Sequence, residues 1–140
     1  MIYLGLDLGS KTLGVSISDR TSTIASSLEV IRYNDMDNLL NRLDEIVIFN
    51  KVDAFILGNP LNLDGSVSKR SEETLEFKKL LESRYPNKNV ILQDERLSTV
   101  EAQRLLKSND TRRKKRKKVI DKIAASIILQ AYLDKRSNER

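Results

Sequence analysis

Apolar and small residues dominate two stretches near the start of the chain, Ile2 to Leu8 and Thr12 to Ser18, with Gly9, Ser10 and Lys11 between them. Two short strands joined by a glycine-bearing turn read as a β-hairpin, the turn asking for a backbone with positive φ. A third strand is expected within Ile24 to Tyr33, after the polar Asp19 to Thr23 turn, making an antiparallel meander. The period then changes. Leu39, Leu40, Leu43, Ile46 and Val47 recur at helical spacing over Met36 to Phe49, with Asn34 or Asp35 as cap. The run Asp53 to Gly58 suits a strand buried on both faces, followed by a loop over Asn59 to Ser68. A helix over Lys69 to Arg84, ended by Pro86 and Asn87, leads to another buried strand, Asn89 to Gln93. Leu97 to Lys107 reads as a helix with Ser98 and Glu101 as a capping box. Val119 to Leu133 has the clearest helical stripe, through Ile120, Ile123, Ala124, Ile127, Ile128, Ala131 and Tyr132. The whole predicts an α/β fold: a mixed sheet of five strands, an antiparallel meander beside parallel strands reached by right-handed crossovers, flanked by helices.

With 140 residues, no internal repeat and no linker, residues 1–140 are expected to form one domain. The opening MIYLGLDLGSK lacks a basic n-region and no apolar run reaches the roughly 20 residues of a membrane span. A cytoplasmic location with no membrane partner is the expectation. Cysteine and histidine are both absent, which excludes disulfides, thiolate or imidazole metal sites and a Ser-His-Asp relay. Acid-base or metal chemistry must therefore run through carboxylates, lysines, hydroxyls and water.

The net charge of +5 is concentrated. Arg112, Arg113, Lys114, Lys115, Arg116, Lys117 and Lys118 form an unbroken run of seven among the 25 basic residues, and the other 18 face 20 acids. All of the basic excess sits in one segment, as expected of a phosphate-contacting patch, carried on a basic loop over residues 108–118. The plainer reading is a solvated loop that binds nothing.

Three acids stand out. Asp7 is the penultimate residue of an apolar strand, where a carboxylate is costly to bury without a partner or a metal. Asp94 and Glu95 stand at the end of another, and the carboxyl ends of parallel strands are where open α/β sheets gather ligand-binding groups. Asp121 opens the last apolar helix, where it could equally serve as an N-terminal helix charge. Singly, each has an ordinary structural explanation. Together they suit Mg²⁺, which binds through one or two carboxylates and substrate phosphate oxygens. Two such ions held roughly 3.5–4 Å apart can activate water and stabilise the leaving oxygen in phosphodiester cleavage. Gly9, Lys11 and Gly14 could bring backbone amides and a cation to a phosphate, and Gly58, Pro60 and Gly65 mark an irregular loop at the same sheet edge. Tyr3, Tyr33, Phe49, Phe55, Phe77, Tyr85 and Tyr132 are assigned mostly to core.

The motifs DLGSKTLGVSISD, GNPLNLDGS, DERLST and RRKKRKKVIDKIAASIILQAYL, in that order from Met1 to about Asp134, resemble the YqgF family, described as Holliday junction resolvases and as pre-16S ribosomal RNA nucleases. The resemblance implies a ribonuclease H-like domain and a hydrolase dependent on Mg²⁺ or Mn²⁺. It matches Asp7 to the first-strand acid, Glu95 to the second and Asp121 to the third, leaving Asp94 as an alternative or additional ligand because neighbours on a strand face opposite ways. It also marks Gly9, Lys11, Gly14, Asp19, Gly58, Pro60, Gly65 and Arg96 as motif positions; Ser98 stands where the family more often has threonine. The implied partner is structured RNA, the ribosomal precursor, with branched DNA as the alternative, acted on by a monomer or a homodimer. Two other classes compete: an ATP-binding protein, since DLGSKTLGVSIS also resembles the first phosphate loop of actin and the sugar kinases, although one lobe is too few; and a non-catalytic RNA-binding module.

Overall fold

The computed structural model describes residues 1–62, 64–94 and 113–138, with residues 113–122 described as backbone only. Five strands form one sheet: β1 (Tyr3–Leu8), β2 (Thr12–Ser18), β3 (Ala25–Arg32), β4 (Ala54–Asn59) and β5 (Asn89–Asp94), in the order β3-β2-β1-β4-β5. β2 is antiparallel to β1 and to β3, whereas β4 is parallel to β1 and to β5. The carboxyl ends of β1, β4 and β5 therefore share one edge. The helices are α1 (Met36–Asn50), α2 (Lys69–Arg84) and α3 (Arg113–Asn138). The predicted helix over Leu97 to Lys107 lies outside the described residues, as do Glu95, Arg96 and Arg112.

Period-two alternation divides the sheet between two cores. Leu4, Leu6, Leu13, Val15, Phe55, Leu57 and Val90 pack with Leu39, Leu43, Val47, Phe77 and Leu81, so α1 and α2 cover one face. Tyr3, Ala54 and Ile56 pack with Ile128, Leu129 and Leu133, so α3 covers the other. Phe49, expected in the core, is 86% exposed near the end of α1.

Caps explain the helix starts. Asp35 accepts from the Asn38 amide, and Ser68 accepts from the Ser71 amide. Ser68 also donates to the Pro60 carbonyl at 2.6 Å, and the buried Ser71 hydroxyl donates to Asn59 Oδ1 at 2.6 Å, which ties α2 to the end of β4. α3 departs from expectation. It begins at Arg113, so residues 113–118 are helix and not part of a loop. Lysine and arginine are good helix formers, and nothing between Arg113 and the apolar stripe breaks a helix. Among the described residues no helix is long and apolar enough to cross a membrane.

Candidate nuclease site

β1 alternates strictly. Leu4 and Leu6 enter the core under α1 and α2, and Tyr3, Gly5 and Asp7 have the opposite parity, toward α3. Asp7 is half-buried, lies opposite Gly14 of β2, and stands one step beyond the Leu6–Leu57 pair, level with Gly58 of β4. Gly58 is in turn paired with Gln93 of β5. The acid is thus flanked on both neighbouring strands by residues with no side chain. Gly14 and Gly58 lie within strands, as the expected strands Thr12 to Ser18 and Asp53 to Gly58 have it, and not in the phosphate-approaching loops also expected of them; what they provide is bare backbone on either side of a carboxylate.

α3 is set onto this face by unusually close contact. A Cβ on Gly5 would collide with Ser16 Oγ and fall 2.7 Å from Leu129 Cβ and 2.9 Å from the Ala125 carbonyl oxygen. The buried Ser16 hydroxyl donates to that carbonyl at 2.7 Å. Farther along, the Tyr3 and Tyr132 rings meet edge to face at 5.5 Å, and Arg136 lies 5.5 Å from the centre of the Tyr3 ring. Gln130 clamps the third strand, accepting from the Ala25 amide at 2.8 Å and donating to the Thr23 carbonyl at 2.9 Å. Tyr3 therefore meets the later turns of α3, and Gly5 meets Ala125 and Leu129. Two strand residues advance about 6.7 Å and four helical residues about 6 Å. Continued one further step at that rate, the alignment would bring the backbone of residue 121 toward the level of Asp7. Asp121 sits two turns inside the helix, too far from its start to act as an N-terminal charge, which overturns that plainer explanation.

At the end of β5, Val90 and Leu92 pack toward α1 and α2 while Ile91 packs toward α3. Asp94 shares the parity of Val90 and Leu92, opposite to Asp7, and it is exposed. Among the described residues no group of three acids is close enough to hold a metal.

The surrounding turns are built without strain at most positions. Gly9 does not have the positive φ expected of it: the turn closes by its amide donating to the Thr12 carbonyl at 2.7 Å, and glycine is needed because a Cβ would lie 2.9 Å from Thr12 Oγ1. The Tyr33 hydroxyl donates to the Gly9 carbonyl at 3.0 Å and the Tyr33 amide to that of Lys11 at 3.1 Å, bracing the turn from outside. Lys11 is exposed there. Gly65 has φ 88°, closing the loop after β4 with its amide on the Asn62 carbonyl at 2.8 Å, and Pro60 lies in the same loop. Asp19 is a turn residue. Its carboxylate accepts from the Thr21 hydroxyl and from the Thr23 and Ile24 amides, which hold its pKa down to about 2.

Residues 1–135 match the family model RuvX: Holliday junction resolvase. The chain belongs to this RuvX family. It is 51% identical over 136 residues to the Bacillus pumilus (strain SAFR-032) protein named "Putative pre-16S rRNA nuclease", covering 96% of this chain and 98% of that one. A protein of the same name from Bacillus subtilis (strain 168) is 48% identical over the same coverage. The crystal structure of the fowlpox virus Holliday junction resolvase superposes with a TM-score of 0.57 at 15% identity, over 96% of this chain and 99% of that one. That likeness is one of fold, and it agrees with the ribonuclease H-like architecture expected of a RuvX chain. Gly5 and Ser16 escaped the sequence reading; their signal was two small residues in otherwise apolar strands, where a helix backbone comes close.

Proposed function

We propose that the chain is a metal-dependent endonuclease that hydrolyses phosphodiester bonds in structured nucleic acid, and that its natural reaction is trimming the 5′ end of the 16S ribosomal RNA precursor in the cytoplasm. The observation that carries this reading is Asp7 at a strand end, between two glycines, on the face covered by the helix that bears Asp121. The names of the RuvX relatives supply the substrate.

A chain without histidine or cysteine offers only oxygen donors, which suit Mg²⁺ or Mn²⁺. Asp7, Glu95 and Asp121 are the residues assigned to hold the ions. Bound there, a pair of ions would activate water and stabilise the leaving oxygen. Glu95 is preferred to Asp94 because the family motif matches it to the second acid and because Asp94 has the parity of Val90 and Leu92, which pack away from α3. The chain's own part is positional: the glycines flanking Asp7 leave room for a sugar-phosphate backbone, while Lys11, Arg96 and the cations from Arg112 to Lys118 neutralise its phosphates.

The family description and the fowlpox fold favour a second reading, cleavage of branched DNA, which requires two sites and hence a homodimer. Purified protein with Mg²⁺ or Mn²⁺, offered precursor RNA and a four-way junction, separates the two. Cutting of the RNA by a species that sediments as a monomer is the expected result; cutting of the junction alone, by a dimer, assigns the second. Binding of both without cutting of either would reduce the chain to a binding module. Asp7→Asn should abolish cleavage, by a factor of at least about 10³, with folding intact.

A further inference from the structure

Arg70 stands in the first turn of α2, and its guanidinium Nη2 donates to the carbonyl oxygen of Leu8 at 3.2 Å. Leu8 is the last residue of β1 and the next after Asp7, so a side chain from the opposite layer reaches across the sheet edge to the end of the candidate site.

The other arginines that make strong contacts close on acids. Arg42 binds Glu29 at 2.6 Å and Glu45 at 2.8 Å, and Arg84 binds Asp44 at 2.5 Å, and these pairs fasten surface elements together. Arg70 is different: among the described residues no carboxylate lies within 4.0 Å of it, and its partner is a single neutral carbonyl. It is also exposed. A guanidinium presents five N–H donors in a rigid fork. One bond to Leu8 fixes where the fork sits and leaves most of the donors and the full positive charge to a further acceptor. The acceptor geometry that fits a planar fork is a pair of oxygens on one anion, as in a phosphate.

We propose that Arg70 is a phosphate-gripping residue, holding a non-bridging oxygen pair of the nucleic-acid backbone at the β1 end of the site. The carbonyl bond to Leu8 then has a purpose beyond stability, since it sets the distance between the gripped phosphate and Asp7. The proposal rests on the nuclease reading for its catalytic consequence and not for its binding consequence.

The test uses the full chain and a fluorescein-labelled RNA stem-loop, with affinity followed by anisotropy in EDTA over a salt series, and with cleavage measured separately in Mg²⁺. Arg70→Ala should weaken binding by about 5- to 20-fold, and lower the slope of log affinity against log salt by about 0.7–0.9, the share of one phosphate. Arg70→Lys should keep the slope and recover part of the affinity, because an ammonium keeps the charge without the fork. Melting temperatures of both variants should stay near that of the parent. An unchanged salt slope in Arg70→Ala overturns the proposal even if the parent cuts RNA, and the same slope with a lowered melting temperature reduces Arg70 to a structural tie. A lowered slope in a protein that cuts nothing upholds the grip and sinks the nuclease.

Discussion

Ser16 and Ala125, 109 positions apart in the chain, are joined by a 2.7 Å hydrogen bond from hydroxyl to helix carbonyl, directly above the glycine that lets them meet. Removing that glycine tests what the contact does for the site. Gly5→Ala would push a methyl group into the α3 backbone and should cost about 1–3 kcal/mol, as overpacking does. Ser16→Ala removes the additional hydrogen bond that ties a helix-interior carbonyl to the sheet and should cost about 1 kcal/mol. Both should lower cleavage at least tenfold at temperatures where the protein is still folded by circular dichroism, because they displace the helix that carries Asp121. Cleavage that falls only in step with the folded fraction would show that the contact serves stability alone.

Asp94, the last residue of β5, and Glu95, the next in sequence, should separate cleanly. Glu95→Gln is expected to lose cleavage as completely as Asp7→Asn, whereas Asp94→Asn should retain activity within a few fold, since its parity directs it away from Asp7. Single-turnover rates at saturating Mn²⁺ and Mg²⁺ check this. Equal losses in both would mean that the two adjacent acids share the metal.

Neutralising the basic run tests recognition apart from chemistry. Replacing Arg112 to Lys118 with glutamine should weaken RNA binding and make its salt dependence shallower, by about 0.7–0.9 in slope for each phosphate no longer neutralised. Single-turnover cleavage at saturating RNA should change far less than KM. A slope that does not move would make the run a solvated helix end and nothing more.

Much of this was legible in the sequence because the alternation that buries a strand is a local signal: β2 and α2 have the expected bounds, β1, β5 and α1 differ by one residue at one end, and β3 and β4 by one residue at each end. The start of α3 was not legible. Seven adjacent cations repel one another and look like a solvated loop, yet helix propensity and the apolar stripe that follows carry the helix back to Arg113. Gly14 and Gly58 were visible as glycines, but that they flank Asp7 depends on register, which pairs residues from three separate strands. Gly5 is harder still, its role being defined by a helix more than a hundred residues away.

Acid should loosen the α1–α2 contact in a defined window. Arg84 binds Asp44 through Nε and Nη2, at 2.9 and 2.5 Å, and the Tyr85 hydroxyl also donates to it. Chiefly through the Arg84 hydrogen bond, the Asp44 carboxyl is held below its ordinary value of 3.8. A depressed folded pKa means that the pair's stabilisation is present above about pH 4 and is lost as pH falls through the folded value. Asp44→Asn should therefore cost about 0.5–1 kcal/mol at pH 7 and progressively less as pH falls below about 4. Parallel melting curves for parent and variant across that range would contradict it. Glu29, held down by Arg42, adds a second contribution with the same sign.

Among the described residues, Ala125 is the contact of α3 nearest its basic end, every other tie to the sheet lying farther along the helix at Leu129, Gln130, Tyr132 and Arg136. Residue 121 lies about 6 Å along the helix axis from Ala125 and Arg113 about 18 Å, so a tilt of about 10° about that contact would carry the backbone of the basic end about 3 Å and that of residue 121 only about 1 Å. On the proposed nuclease reading, such a tilt would let the basic end follow substrates of differing curvature while displacing residue 121 least.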